Sequence, residues 1–382
     1  MKWNVPIKYI GLSGLLMHCS SPNFSIAPEP LDSTISDSGS ETHERLDSAI
    51  CESSVILCER WGKNCDSFKV TDSCGVERTV NCGVCKQGKC GSSGRAGVCG
   101  STVSYDMVST ESITSVWSAS SGEAWLVNNK GATARWNGTW GALSPVGASG
   151  VNRLWGIDIN NIWMVSASDS MNSIAYWNGT DFQFIKGFPL LFSSVSGTSR
   201  NDVWAVGNNG VILHKWGDKY DDWKKADVNG FSEDLLSVSS VSPTAAYTVG
   251  KKGSFGYWDG NTWQFQTLGT TEDLKSVWAR ATNEIWVVGT NGTVLKQIDT
   301  EWISMPIKGI SVTFNQVWGT SSNDIWIVGD AGTLLHWDGL SWTRSVLTGV
   351  MWNLLGIAGS GGLKDPIWVY GDSNELIQLK VY

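Results

Sequence analysis

The sequence predicts an all-β chain: a seven-bladed β-propeller of four-stranded blades, preceded by a small disulfide-rich module. Three observations carry this. A motif of about forty residues recurs seven times between Val116 and Tyr382. Tryptophan holds the same places in nearly every copy, and eight of the nine cysteines crowd between Cys51 and Cys99, before the repeats.

The period is read from one aromatic per copy: Trp125, Trp163, Trp204, Tyr247, Trp286, Trp326 and Trp368, at steps of 38, 41, 43, 39, 40 and 42 residues. Eight residues before these anchors stand Trp117, Trp155, Ser196, Ser239, Trp278 and Trp318; the last copy stretches the gap to ten, at Ala358. Within a copy, short extended runs alternate with turn chemistry. In the sixth, Phe314 to Gly319 reads as strand a, Ile325 to Gly329 as strand b, Thr333 to Trp337 as strand c and Ser341 to Val346 as strand d.

The turn between b and c needs a residue tolerant of positive φ. Gly131, Gly210, Gly253, Gly292 and Gly332 supply it, with Asn172 and Asn374 in the other two copies. Between c and d stands Trp-Asn-Gly or Trp-Asp-Gly, at Trp136, Trp177, Trp258 and Trp337. Asn-Gly and Asp-Gly are strong hairpin signals, so each copy is an antiparallel meander.

A lone meander cannot bury two apolar faces, whereas sheets packed radially around an axis bury both. Of the 23 tryptophans, 21 lie between Trp117 and Trp368. Each buried indole contributes about 4 to 6 kcal/mol gross, before ordering entropy is subtracted. The seventh copy ends after its third strand, so its fourth is expected upstream. The extended run Thr102 to Met107 precedes the first copy as a d strand precedes every later one, and is expected to close the ring.

Ahead of the propeller, which takes residues 100–382, three segments are expected. Residues 1–19 carry Lys2 and Lys8 before an apolar run, Tyr9 to Met17, in the order of a secretory signal and too short to span a bilayer. Residues 20–50 turn to Ser, Pro, Asp and Glu, the composition of a disordered tether. Residues 51–99 hold Cys51, Cys58, Cys65, Cys74, Cys82, Cys85, Cys90 and Cys99. In an exported chain this reads as four disulfides of open pairing around a core too small to stand alone. Cys82 and Cys85 form a CxxC, but the module has no His, and the other six cysteines lack zinc-knuckle spacing.

The repeat resembles bacterial Trp-rich propeller repeats related to the BNR or Asp-box class. Trp337, Asp338, Gly339 and Trp342 occupy the turn where that class has Ser-x-Asp-x-Gly-x-x-Trp, with Trp for the leading Ser/Thr and one residue fewer. The strand order also looks like that of tectonin propellers, which implies a lectin-like binding role. Cys74 to Cys99 is similar to Cys-rich modules that precede such repeats in bacterial surface lipoproteins. Leu16-Met17-His18-Cys19 resembles a lipoprotein signal with Cys19 as the acylated residue, although His18 stands where a small residue is usual. The resemblance therefore implies export to the cell envelope or outer surface, with membrane attachment through a lipid anchor.

Net charge is -8 with a pI near 5.1 and no basic cluster, which argues against nucleic acid as a partner. The propeller's two His, His214 and His336, occupy similar places in strand c of blades three and six, so a three-His metal site is impossible there. Sialidase chemistry, which the BNR resemblance raises, needs three Arg converging on a substrate carboxylate. The available ones are Arg135, Arg153, Arg200, Arg280 and Arg344.

No catalytic residue, metal or cofactor is expected. Aromatics repeated in every blade are assigned to packing, and off-grid loop residues to contact: Trp352, Phe231 and Phe188, with Phe192 beside it. The b-to-c tips sharing that face, Asn208, Asn209, Lys251 and Lys252, join them as candidate ligand contacts. The expected function is that of a monomeric, noncatalytic surface protein binding a protein or glycan through its loop-rich face. The alternative is a lectin-like or glycosidase-type propeller acting on envelope polysaccharide. Convergence of three Arg on the axis discriminates between them.

Overall fold

A computed structural model describes the strands Lys8–Tyr9, Ser67–Thr71, Glu77–Asn81 and Val103–Ser109, and residues 112–381 apart from 120–121, 148–149, 169–172 and 362–364. Cys19, the other eight cysteines and residues 20–50 lie outside the described residues, and with them the signal, tether and disulfide expectations. Ser67–Thr71 and Glu77–Asn81 pair antiparallel, Ser67 opposite Asn81. Lys8–Tyr9 pairs in parallel with Ile303 and Ser304.

Seven four-stranded meanders form the ring, each running a-b-c-d outward from the axis. The inner a strands are Ile113–Ser118, Val151–Asp158, Phe192–Ser199, Leu235–Ser242, Leu274–Ala281, Phe314–Ser321 and Leu354–Ala358. Blade seven is completed as the strand count requires: Val103–Ser109 pairs antiparallel with Glu375–Val381, Val103 opposite Val381 and Ser109 opposite Glu375. Blade one is the thinnest, its d strand being only Ser144–Pro145.

The core lies between blades. Anchors Trp163, Trp204, Trp286, Trp326 and Trp368 are fully buried. In several blades the anchor inserts between the two aromatics of the next blade's c-d hairpin. Trp286 meets Trp337 at 5.9 Å and Trp342 at 5.7 Å; Trp204 meets Trp258 at 5.1 Å and Trp263 at 5.2 Å. Trp368 of blade seven reaches Trp136 and Trp140 of blade one at 4.8 and 5.0 Å, sealing the ring with the same clamp. The Asp-box-like turn therefore works as an interblade socket: its Asn or Asp folds the hairpin, and its flanking rings receive the neighbour's anchor.

On the opposite face of several anchors lies the cross-strand residue of strand c. His214 stacks on Trp204 at 3.6 Å and His336 on Trp326 at 4.0 Å, while the Lys296 ammonium sits 4.8 Å from the Trp286 ring. The imidazoles are fixed from the far side by carboxylates, Nε2 lying 2.7 Å from Asp202 in one and from Asp324 in the other. Both His are thus packing residues held by an acid. Burial alone would raise the Asp324 carboxyl. Hydrogen bonds from His336, Thr320 and Trp326 outweigh it and hold the group below its ordinary value.

A carboxylate depressed in the fold stabilises above its unfolded pKa, and that contribution is lost as pH falls through the folded value. Asp324→Asn is therefore expected to cost about 1 to 3 kcal/mol at neutral pH, nearer the lower end because the site is partly open to water. The deficit relative to wild type should shrink below about pH 4. Urea midpoints measured against pH test this; an equal deficit at pH 3 and pH 7 would contradict it.

Four of the predicted b-to-c positions, Gly210, Gly253, Gly292 and Gly332, are left-handed, as is the residue before each: Asn209, Lys252, Asn291 and Ala331. Gly253 shows why glycine is needed. At φ +69° a Cβ there would stand 1.9 Å from the Thr270 carbonyl oxygen of the next blade's entering loop. Gly131 is left-handed too, Asn172 lies outside the described residues, and Asn374 does not take that conformation. Its side-chain oxygen instead accepts a hydrogen bond from the Ser112 hydroxyl at 2.9 Å.

Candidate ligand-binding site

The a strands line an axial channel of about 330 Å³ that opens, where the chain enters each blade, into a mouth of about 360 Å³. The b-to-c turns share this upper face with the d-to-a loops, as expected. Their backbone N–H groups bind the loops directly: Asn208 to the Leu191 carbonyl at 3.1 Å, and Asn209 to Asp234 Oδ1 at 2.9 Å.

Hydrogen bonds around the inner wall link successive blades. The third residue of strand a offers a side-chain acceptor to a backbone N–H of the following blade. Ser115 receives Leu154, Ser194 receives Val238, Ser237 receives Val277 and Ser276 receives Val317, at 3.2 to 3.3 Å. Gln316 receives Ile357 at 3.1 Å. Two blades depart from this pattern. Blade seven has Gly356, whose Cβ position would lie 2.2 Å from the Tyr370 hydroxyl. Blade two has Arg153, whose Nη1 donates to the Tyr370 hydroxyl at 2.9 Å and the Thr114 carbonyl at 3.1 Å. One guanidinium thus spans the junction of blades seven, one and two.

One row nearer the mouth stand Thr114, Asn152, Ser193, Leu236, Lys275, Asn315 and Leu355, one per blade. Asn152 Nδ2 donates to the Phe192 carbonyl at 3.0 Å and Asn315 Nδ2 to the Leu354 carbonyl at 2.9 Å, each tying its blade to the next. Arg153 and Lys275 line both channel and mouth, and no carboxylate or imidazole lines either cavity among the described residues. Deeper down, Trp117, Trp155, Trp278 and Trp318 line the wall on four blades, with Ser196, Ser239 and Ala358 on the other three. The Trp155 ring edge lies 2.8 Å from where a Gly197 Cβ would stand, so these indoles pack against glycines of the next blade.

The predicted contact residues are placed otherwise. Trp352 is partly buried, packs against the core between blades six and seven, and lies over Gly371. Phe231 stacks on Phe265 at 4.0 Å and 7°. Phe188 packs partly buried between blades two and three, and Phe192, expected on a loop, is a fully buried first residue of strand a. These rings enter separate interblade cores and do not converge.

The tips are exposed but paired. Lys251 Nζ lies 2.6 Å from Asp234 and Lys252 Nζ 2.9 Å from Glu233. The bond from Lys251 and that from the Asn209 N–H hold the Asp234 carboxyl below its ordinary value. Beside Trp352 it is Met351, 85% exposed, that faces solvent.

Sequence reasoning weighed Arg153 only as one of five Arg available for a sialidase clamp, and did not single out Lys275. Their signal was a break in register: charged residues at strand-a positions where most copies carry Ser, Thr, Asn or Leu. The propeller's Arg residues do not converge. Arg280 pairs with Glu284 at 2.6 Å, Arg135 sits 5.4 Å from the Trp125 ring, and of the five only Arg153 lines the channel. Among the described residues no group of three or more His, Cys, Asp or Glu is placed to hold a metal ion.

No protein-family model matches the chain, and no curated protein matches it in sequence. Solved structures match in fold. Virginiamycin B lyase from Staphylococcus aureus superposes with a TM-score of 0.65 and 9% identity, over 74% of this chain and 100% of that one. YCF48 bound to D1 peptide gives 0.57 and 16%, over 72% and 94%. YCF48 from Cyanidioschyzon merolae gives 0.56 and 14%, over 72% and 98%. At these identities the likeness is one of architecture alone.

Proposed function

We propose that this protein is a noncatalytic binding propeller, displayed on a lipid anchor at Cys19, that takes a partner on its upper face at the channel mouth. The observation that carries the reading is the chemistry of the lining. The mouth offers cations, amides, hydroxyls and two leucines, and among the described residues its walls hold no carboxylate or imidazole to act as a general acid or base. Such a set orients a ligand without moving its protons. The ring supports it, because every residue lining the mouth sits on an inner strand of its blade. Of the distant neighbours in fold, one is a lyase and another is bound to a peptide, so the fold is neutral between catalysis and binding, and the reading is supported by the lining.

The test is a screen of the full chain against peptide and glycan arrays. Bound ligand should be lost on Met351→Asp with Lys275→Glu, on the upper face. Asn283→Lys, in the exposed a-to-b turn of blade five on the opposite face, should retain it. In the same cells Cys19→Ser should move the protein to the soluble fraction. Ligand capture abolished by the lower-face change alone would overturn the assignment of the face, and turnover of a captured ligand would overturn the noncatalytic reading.

A further inference from the structure

We infer that the channel mouth is a receptor for a carboxylate carried by a polypeptide, gripped by Arg153 and Lys275 from facing parts of the ring; this rests on the binding reading above. Blades two and five stand three steps apart around seven, so the two cations approach the axis from different sides. Neither has a carboxylate within ion-pair distance among the described residues, although the chain carries 36 acidic residues against 28 basic ones. In so acidic a protein, two cations in one cavity that no described carboxylate neutralises form a local anion trap.

Arg153 is also pre-oriented. Its Nη1 is used by the Tyr370 hydroxyl and the carbonyls of Thr114 and Asn152, which holds the guanidinium plane and leaves the Nε and Nη2 edge without a partner among the described residues. That edge is a two-donor fork of the spacing a carboxylate accepts in parallel, and fixing the fork beforehand lowers the entropy lost on binding. Lys275 adds a point charge on a flexible stem.

The remaining lining favours a peptide over an acidic sugar. Leu236, Leu355 and Ile113 give apolar contact, and Asn152 Oδ1 is a buried acceptor with no partner, suited to an amide N–H. Among the described residues no aromatic ring lines the mouth, so they offer no stacking face of the kind on which sugars usually rest.

The experiment uses the full chain and a pool of random octapeptides supplied in two forms, free acid and C-terminal amide, with captured species read by mass spectrometry. Preferential capture of free acids would identify the chain end as the source of the carboxylate. Enrichment of Asp and Glu among amides would identify a side chain. Either should weaken with added salt.

Lys275→Ala should reduce capture about tenfold or more at an unchanged melting temperature. Arg153→Lys keeps the charge but loses the fork, and should lose as much. Because Arg153 also braces the ring, Tyr370→Phe is the companion: it preserves both cations, releases the guanidinium, and should weaken capture less than either.

Equal capture of acid and amide pools with no acidic enrichment would overturn the carboxylate inference and leave the binding propeller standing. Saturable binding of tri-galacturonate with no peptide captured would assign the mouth to sugars instead. No capture by the pools or by the arrays would remove both readings.

Discussion

Deleting Val103–Ser109 should convert the protein into an aggregating species without a cooperative thermal transition. Glu375–Val381 would lose its whole outer partner, and an open edge on blade seven is a template for pairing with other chains. Leu376, Ile377 and Leu379 beneath it are fully buried, and part of the same core seals blade seven to blade one through Trp368. Size-exclusion chromatography and melting of the deleted chain check this. A permuted chain carrying residues 103–109 after Tyr382 should recover a monomer, which separates loss of the strand from loss of the upstream sequence. A deletion variant that stays monomeric and melts within a few degrees of wild type would show that closure does not depend on this strand.

The next largest effect is expected at the interblade socket. Trp286→Ala should cost about 3 to 5 kcal/mol through the cavity left between Trp337, Trp342 and the Lys296 stem. In a propeller of this size that is a fall of about 6 to 20 °C in melting temperature. Trp286→Phe should cost much less. The indole Nε1 is buried without a hydrogen-bond partner, so what the site loses in Ala is ring volume and not a polar contact. Equal destabilisation by Ala and Phe would refute the packing account.

The fold was legible because packing repeats. An anchor that must enter the next blade's socket has to recur in every copy, and the Asp-Gly and Asn-Gly hairpins recur with it. The missing seventh d strand was legible for the same reason, since a meander one strand short declares where the chain must return. Asn374 misled because an Asn at a turn tip can serve as a hydrogen-bond acceptor instead of a left-handed residue.

The binding surface was not legible by the same logic. A contact residue occurs once, and so does a packing residue that fills one irregular cleft. Trp352 and Phe231 left the grid because their loops need a cover over Gly371 and a partner for Phe265. Arg153 and Lys275 left it at positions where a hydroxyl or small apolar group serves packing equally well. What separates the two kinds of exception is the direction in which the strand presents them, and strand a is the wall of the channel.

The closing strand also sets an orientation. In a meander that runs a-b-c-d outward, a d strand starts on the lower face, beside the c-d hairpins, and ends on the upper face, where the chain turns inward to the next blade. Val103 is therefore a point of entry on the outer rim of blade seven, opposite Val381, on the side away from the mouth. A pull applied at Val103 would load this seven-residue ladder in shear, all of its pairs together, and not peel them one by one.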